Sequence, residues 1–274
     1  KEITVENLEK FDFSKSELTF FSAGGNISEK FAPIAAKSSV VIDNSSYFRM
    51  DPDVPLIVPQ VNSQDIKKLK KNIIANPNCS TAQLVIVLKP LHEAFKIKRV
   101  VISTYQSTSG AGKKPMDELI EQTRDILENK KVSINNFTKQ IAFNAIPHID
   151  EFSNDGYTKE ELKMINETKK ILDKNIEITA TCVRIPVKVS HAESVNIEFE
   201  NSISINKVVE ILKNSEGCEV LDKREDGGYI TPTDAEGKYE TFISRIREDN
   251  SKKNCLNLWI VSDNLLRGAA LNAV

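Results

Sequence analysis

Cys79 has the strongest local setting for chemistry in this chain. It follows Asn76-Pro77-Asn78 and opens an apolar run, to about Phe95, that reads as a helix. A thiolate at a helix start gains from the positive end of the helix dipole and from free backbone N–H groups. The same N–H groups can stabilise an oxyanion on a bound carbonyl. A lone cysteine is more often a small buried core residue. Cys182, between Thr181 and Val183 in a strand-like run, fits that description, and Cys218 and Cys255 have no special setting. A nucleophilic cysteine needs a base, and the histidines are His92, His148 and His191. His92 lies about three and a half helical turns from Cys79, too far to touch it. His148 follows Pro147. His191 follows a strand at Val189-Ser190-His191, where a strand tip could present it to a cleft. Spacing does not choose among them.

Charged residues in apolar surroundings come next. Arg184 interrupts Ala180-Thr181-Cys182-Val183-Arg184-Ile185-Pro186-Val187, and a half-buried guanidinium needs an anion, from the protein or from a ligand. Glu167 and Lys170 are three apart on a predicted helix and share a face; a solvated ion pair is the commoner meaning of that spacing. Arg49, in Tyr47-Phe48-Arg49-Met50-Asp51, either binds an anion or pairs with Asp51 or Asp53. Two small-residue loops, Ser22-Ala23-Gly24-Gly25 and Ser109-Gly110-Ala111-Gly112, permit close backbone approach to a ligand. Neither is a dinucleotide fingerprint or a P-loop.

Positioning these residues requires alternating strands and helices. Glu17 to Phe21 and Ser39 to Asp43 read as short buried strands, with a helix from Ser28 to Lys37 between them, Ser28 as its N-cap and Pro33 awkwardly inside. That is a βαβ unit of a parallel sheet. A proline-rich stretch carries brief strands at Ile57-Val58 and Ile73 to Ala75. Strands at Arg99 to Gln106, Ile176 to Val189, Val195 to Phe199 and Leu256 to Ile260 follow. Helices are expected at Pro115 to Asn129, Ile205 to Lys213 and Thr158 to Asp173, the last opened by a Thr158/Glu161 capping box, with a helix start in Asn264 to Val274. The fold class is α/β: a parallel α/β domain followed by a mixed-sheet α+β domain, with the boundary near Cys79.

Over 274 residues, 37 lysines and arginines stand against 39 aspartates and glutamates, a net charge of −2. That balance argues against a nucleic-acid or anionic-membrane partner. No apolar run approaches the roughly 18 residues of a membrane-spanning helix. Lys1 to Glu6 lacks the features of a signal peptide. The cysteines lie far apart with no C-x-x-C pair, so no metal site is expected and the cytoplasm is the default compartment.

Six segments, taken together, resemble aspartate-semialdehyde dehydrogenases in family order: Phe20-Phe21-Ser22-Ala23-Gly24-Gly25, Phe48 to Leu56, Asn76-Pro77-Asn78-Cys79-Ser80-Thr81, Tyr105 to Gly112, Arg184 through His191, and Asp263-Asn264. The resemblance covers almost the whole chain. It implies NADP-dependent, phosphate-dependent interconversion of L-aspartate 4-semialdehyde and L-aspartyl 4-phosphate, on the route to lysine, threonine, methionine and bacterial diaminopimelate. It implies that Cys79 is the nucleophile, His191 its acid/base partner and Gln106 the residue orienting substrate. Arg184 would clamp the substrate carboxylate and Glu167 its ammonium, with Arg49 and Lys170 on phosphate. Ser22, Ala23, Gly24, Gly25, Asn78, Ser109, Gly110 and Asn264 would face NADP. The resemblance also implies a partial Rossmann-like nucleotide-binding domain at 1–78, completed by 255–274, and a mixed-sheet α+β catalytic and dimerisation domain at 79–254 that forms a homodimer. Arg184 and His191 are seven apart, an odd offset that puts them on opposite faces of a straight strand, so a bend near Pro186 must intervene.

The chain departs from the family pattern at both ends. The opening glycine-rich βαβ unit, roughly 50 residues on the usual domain layout, is missing, and family members continue past Val274. A truncated chain with weak or absent NADP binding is the expectation. The alternatives are an inactive, dimeric, anion-binding remnant or the related N-acetyl-glutamyl-phosphate reductase. The Phe48-Arg49-Met50 loop and the Glu167/Lys170 pair argue against the reductase.

Overall fold

The computed structural model describes residues 4–274; Lys1 to Ile3, part of the N-terminal segment read above, lie outside the described residues. The strands are β1 Leu18–Phe21, β2 Val40–Asp43, β3 Ile73–Ala75, β4 Ile97–Gln106, β5 Glu177–Arg184, β6 His191–Phe199, β7 Cys218–Val220, β8 Thr241–Glu248 and β9 Cys255–Ser262. The α-helices are α1 Gly25–Ala35, α2 Pro59–Asn62, α3 Cys79–Phe95, α4 Lys113–Leu127, α5 Lys159–Ile171, α6 Ile205–Lys213, α7 Pro232–Ala235 and α8 Leu271–Ala273. They build a three-stranded parallel sheet in the order β1-β2-β3 and a six-stranded mixed sheet in the order β5-β4-β6-β9-β8-β7. No helix among the described residues is long and apolar enough to cross a membrane.

Helix α3 joins the two sheets. It is apolar nearly all round, the pattern of a helix buried on every side. Leu84, Val87, Leu88 and Leu91 pack on the large sheet, against Val100 and Ile102 of β4, Val195 of β6, and Leu256, Leu258 and Ile260 of β9. Ala82, Val85 and Ile86 pack into the small unit with Phe31, Val41, Val58 and Ile73. The N-terminus of α3 therefore sits where the two sheets meet.

Several elements differ from the sequence expectation. Helix α1 begins at Gly25 with Gly24 as N-cap, and Ser28 is a buried residue of its first turn whose hydroxyl donates to Asp43 at 2.7 Å. Pro33 is tolerated inside α1 on its exposed side. Ile57-Val58 is no strand: Leu56 makes a single bridge to Ala75. The run Ile176 to Val189 is broken after Arg184. Residues 185–190 form a connection pinned to the 107–109 turn by Thr108 N to Val187 O and Ser109 N to Lys188 O. Ser190 there adopts a φ of 73°, and its N–H is held by Asn264 Oδ1. Finally, β9 pairs with β6 and β8 in the large sheet, so 255–262 does not belong with residues 1–78. Only the segment beyond it reaches the small unit, where Asn272 donates to Ile57 O at 2.9 Å.

Leu88 is fully buried on α3. The substitution Leu88→Ala should cost about 2–5 kcal/mol. In urea titration this appears as a lower midpoint at unchanged slope. An unchanged midpoint would show that α3 is not packed between the sheets.

Candidate functional site

The carboxyl ends of parallel strands are where α/β folds bind ligands, because the loops there leave a crevice. Here β1, β2 and β3 end at Phe21, Asp43 and Ala75, and the chain passes directly into Ser22, Asn44 and Asn76. In the large sheet β4 ends on Gln106 and its parallel neighbour β5 on Arg184, β6 begins at His191, and β9 runs out into Asn264. All these ends converge. A cavity of about 490 Å³ is walled by Ser22, Arg49, Asn78, Cys79, Gln106 and Arg184, with Ser109, Gly110, Asn264, Glu160, Lys163 and Asp150 completing it.

Cys79 is the first residue of α3. Asn78 caps the helix: its Oδ1 accepts from Ser80 N and Thr81 N, and its Nδ2 donates to Glu160 Oε1 at 2.9 Å. Gly268 packs directly on Cys79; a Cβ there would lie 2.5 Å from Cys79 Cβ. Burial, reinforced by the nearby Glu160 carboxylate, pushes the thiol up to about 12, against Arg184, Arg49 and the Ser80 N–H. The helix start therefore does not by itself make a thiolate, contrary to the expectation from its position.

His191 is fully buried. Its Nδ1 accepts from Ser107 N at 3.0 Å and lies 3.0 Å from Ser107 Oγ. A backbone amide can only donate, so the ring proton sits on Nε2. Burial and then Arg184 hold the imidazole neutral, down to about 3. Gly110 makes room for it: a Cβ there would approach Arg184 Nη1 at 3.0 Å and His191 Nε2 at 3.1 Å. The break at 185–190 turns the chain so that Arg184 and His191, on strands flanking β4, face the same space. One Arg184 N–H is spent on Ser107 O at 2.6 Å.

Gln106 is fixed at both ends of its amide, accepting from Thr104 Oγ1 and donating to Glu160 Oε1. Burial opposes the Glu160 charge, but Lys163, Asn78 and Gln106 outweigh it and hold the carboxyl below its ordinary value. Lys163 in turn bridges Asp150 at 2.6 Å and Glu160 at 3.2 Å; burial works against its charge and those two carboxylates more than offset it.

The structure takes two expected ligands, Glu167 and Lys170, out of the cavity and engages much of a third, Arg49. Glu167 is 1 % exposed and outside the cavity walls: Oε1 pairs with Arg49 Nη1 at 3.0 Å and Oε2 accepts from Asn78 N at 2.6 Å. Lys170 spends its ammonium on the carbonyls of Arg49, Asp51 and Val54 at 2.6, 2.7 and 2.9 Å, so it has no N–H left for an anion. Arg49 lines the cavity, but Nε and Nη2 already serve Asn76 O and Asn44 O. The pair that does face the cavity is Glu160 and Lys163, two turns earlier on α5. Ala23, Gly24 and Gly25 lie at the start of α1 beside Ser22 and are not cavity walls. Asn264 Oδ1 is occupied by Ser109 Oγ, Ser107 Oγ and Ser190 N. His92 and His148 are elsewhere, the first against Asp173 and the second stacked on Phe152.

A nucleotide cofactor has a place beside this cavity. The end of α1 capped by Gly24 has no side-chain cap, so its backbone donors are open to an anion, and Gly268 keeps the wall next to Cys79 flat. All four cysteines are free.

Comparison with known proteins decides the family. Residues 88–267 match the family model described as semialdehyde dehydrogenase, dimerisation domain, and residues 1–69 the one described as semialdehyde dehydrogenase, NAD binding domain. The aspartate-semialdehyde dehydrogenase of Aquifex aeolicus is 52% identical over 279 residues, covering 100% of this chain and 82% of that protein. The chain belongs to the aspartate-semialdehyde dehydrogenase family. A crystal structure of aspartate semialdehyde dehydrogenase II from Vibrio cholerae, complexed with ASA, superposes with a TM-score of 0.95 at 47% identity, covering 98% of this chain and 80% of that one. A more distant family structure, from Candida albicans with NADP, gives a TM-score of 0.69 at 25% identity, with coverage of 94% and 75%. The chain is an NAD(P)-binding oxidoreductase of amino-acid biosynthesis.

Sequence reasoning missed Glu160 and Lys163. Both Glu160/Lys163 and Glu167/Lys170 are i, i+3 pairs, and a seven-residue slip returns to nearly the same helix face. The signal that separates them is the capping box: Thr158 accepts from Glu161 N and fixes the helix start, which places Glu160 in the first turn. With the thiol held protonated in the free protein, alkylation of Cys79 by iodoacetamide should rise about tenfold per pH unit from pH 7 to 10. A plateau near 8.5 would contradict the burial of the thiol.

Proposed function

We propose that Cys79 is the nucleophile of phosphate-dependent interconversion of L-aspartate 4-semialdehyde and L-aspartyl 4-phosphate, with NADP as the coenzyme. One observation supports this above the others: a single cavity gathers a thiol, a clustered carboxylate and two kinds of cation around it. Arg184 takes the substrate α-carboxylate through the guanidinium donors not spent on Ser107. Glu160, rather than Glu167, takes the α-ammonium. Lys163, with the cavity-facing edge of Arg49, takes phosphate, where a compact point charge suits the ligand. Gln106, oriented by Thr104 and Glu160, guides the aldehyde to the thiol.

Substrate binding then changes the electrostatics at sulfur. An ammonium on Glu160 neutralises the one carboxylate that opposes thiolate formation, leaving Arg184 and Arg49 to favour it. As Sγ adds to the aldehyde carbon the thiol proton is lost to solvent, and His191 Nε2–H donates to the oxyanion that forms. A bound nicotinamide dinucleotide supplies the hydride acceptor for oxidation and the donor for the reverse reaction. The acyl group remains on Cys79 as a thioester. Phosphate oxygen attacks it, the C–S bond breaks, and the acyl phosphate leaves. In the biosynthetic direction the oxygen of the thioester becomes an alkoxide, and the resting Nε2–H tautomer already presents a donor to it.

Ser22, Ser109, Gly110 and the open N-terminus of α1 would hold the dinucleotide. The Candida albicans relative supports NADP rather than NAD. A homodimer fits the large sheet, whose face away from α3 leaves Thr181, Ser194, Arg245 and Arg247 exposed and Val101, Val183 and Trp259 half-buried. Four free cysteines fit a reducing cytoplasm.

The test is the phosphate-dependent reduction of NADP by the semialdehyde. The substitution Arg184→Leu should raise KM for the semialdehyde by about 3 kcal/mol, roughly 100-fold, with KM for phosphate little changed. An unchanged semialdehyde KM would remove Arg184 from the carboxylate site.

A further inference from the structure

Glu167 and Lys170 lie outside the cavity, yet both hold its wall. Glu167 is 1 % exposed on α5 and spends each oxygen on a different part of the site. Oε1 meets Arg49 Nη1 at 3.0 Å and Oε2 accepts the Asn78 N–H at 2.6 Å. Asn78 is the N-cap of the helix that begins with Cys79, and Arg49 carries the bond onward to Asn76 O at 2.8 Å and Asn44 O at 3.0 Å. One turn along α5, Lys170 donates to the carbonyl of Arg49 itself at 2.6 Å. Arg49 is thus gripped by its guanidinium and by its main chain from one helix face.

We propose that Glu167 is a positioning residue that fixes the start of α3 through Asn78 and aims Arg49 at the phosphate position. This rests on the reading of Cys79 as nucleophile and Arg49 as an anion-facing cation. The geometry excludes a direct role on the substrate ammonium: the carboxylate is sealed from the cavity and both oxygens are engaged. A carboxylate at this point serves two donors of different charge at once, a guanidinium and a backbone amide. A glutamine oxygen can still accept from one of them; an alanine can serve neither. A shift of the Asn78 backbone carries Cys79 with it, and displacement by about 1 Å at a reacting group can cost about 100-fold in rate.

Two variants, assayed in the full chain, separate the possibilities. Glu167→Ala should lower kcat by at least about tenfold and raise KM for phosphate, while KM for the semialdehyde moves less than about threefold. Glu167→Gln, which keeps an acceptor for Asn78, should recover most of kcat. Amide exchange should report the same ranking independently of turnover: protection of the Asn78 to Thr81 backbone is lost in the Ala variant, kept in Gln, and unchanged elsewhere. If the parent protein does not turn over, the exchange data still decide whether Glu167 holds Asn78. A semialdehyde KM raised about tenfold or more in Glu167→Gln would return this residue to the substrate ammonium and overturn the proposal. So would parent-like kcat and exchange in Glu167→Ala. Should the Ala variant fail to fold, the semialdehyde KM of the Gln variant alone carries the decision.

Discussion

A helix that starts in the interior must satisfy its first backbone N–H groups without water, and the whole site depends on how this is done at Asn78. Its side-chain oxygen takes the amides of Ser80 and Thr81, its own amide goes to Glu167, and its side-chain nitrogen goes to Glu160. Cys79, the proposed nucleophile, is the next residue. Both carboxylates come from α5, seven residues apart, so one helix face grips one residue twice. Through Gln106 and Lys163, Glu160 extends that grip to the end of β4 and to the Asp150 loop. Chemistry is thereby placed on the junction between two sheets, where packing of α3 against both fixes it.

Such a junction has an electrostatic cost. Burial raises the Cys79 thiol and lowers His191, so the two groups rest as neutral thiol and neutral imidazole rather than as an ion pair. The resting site is quiet. It holds its charge in Glu160, Lys163 and Arg184, the groups proposed to meet a zwitterionic substrate and a phosphate. On the proposed mechanism it is ligand binding, not the fold alone, that tips the thiol toward reaction. Glycine at 110 and 268 is part of the same design, since a Cβ at 268 would collide with Cys79 and one at 110 would crowd Arg184 and His191.

Much of this was legible in the residues. The apolar run from Cys79 to Phe95 and the amphipathic run from Ile205 to Lys213 coincide with helices, because periodicity and caps act locally. The capping box at Thr158 is formed as expected. What stayed hidden depends on contacts between distant segments. The β-branched run 176–189 reads as one strand; Pro186 and the odd spacing of Arg184 and His191 point to a bend, but not to where pairing ends. Two equivalent Glu/Lys pairs on α5 both reach Asn78, and although the capping box marks Glu160 as the first-turn member, which pair faces the cavity is set by distant contacts. The sheet to which β9 belongs is a matter of pairing, not composition. Burial at Cys79 reversed the effect expected of a helix start, and no single segment announces burial.

The central claim is that Cys79 carries the acyl group within a site assembled by this chain. The direct measurement is intact-protein and peptide mass spectrometry after mixing the protein with aspartate semialdehyde and NADP in phosphate-free buffer. The account predicts one aspartyl group per chain, as a thioester on the peptide that contains Cys79, released when phosphate is added. Failure to label Cys79, or an acyl group stable to phosphate, would contradict it.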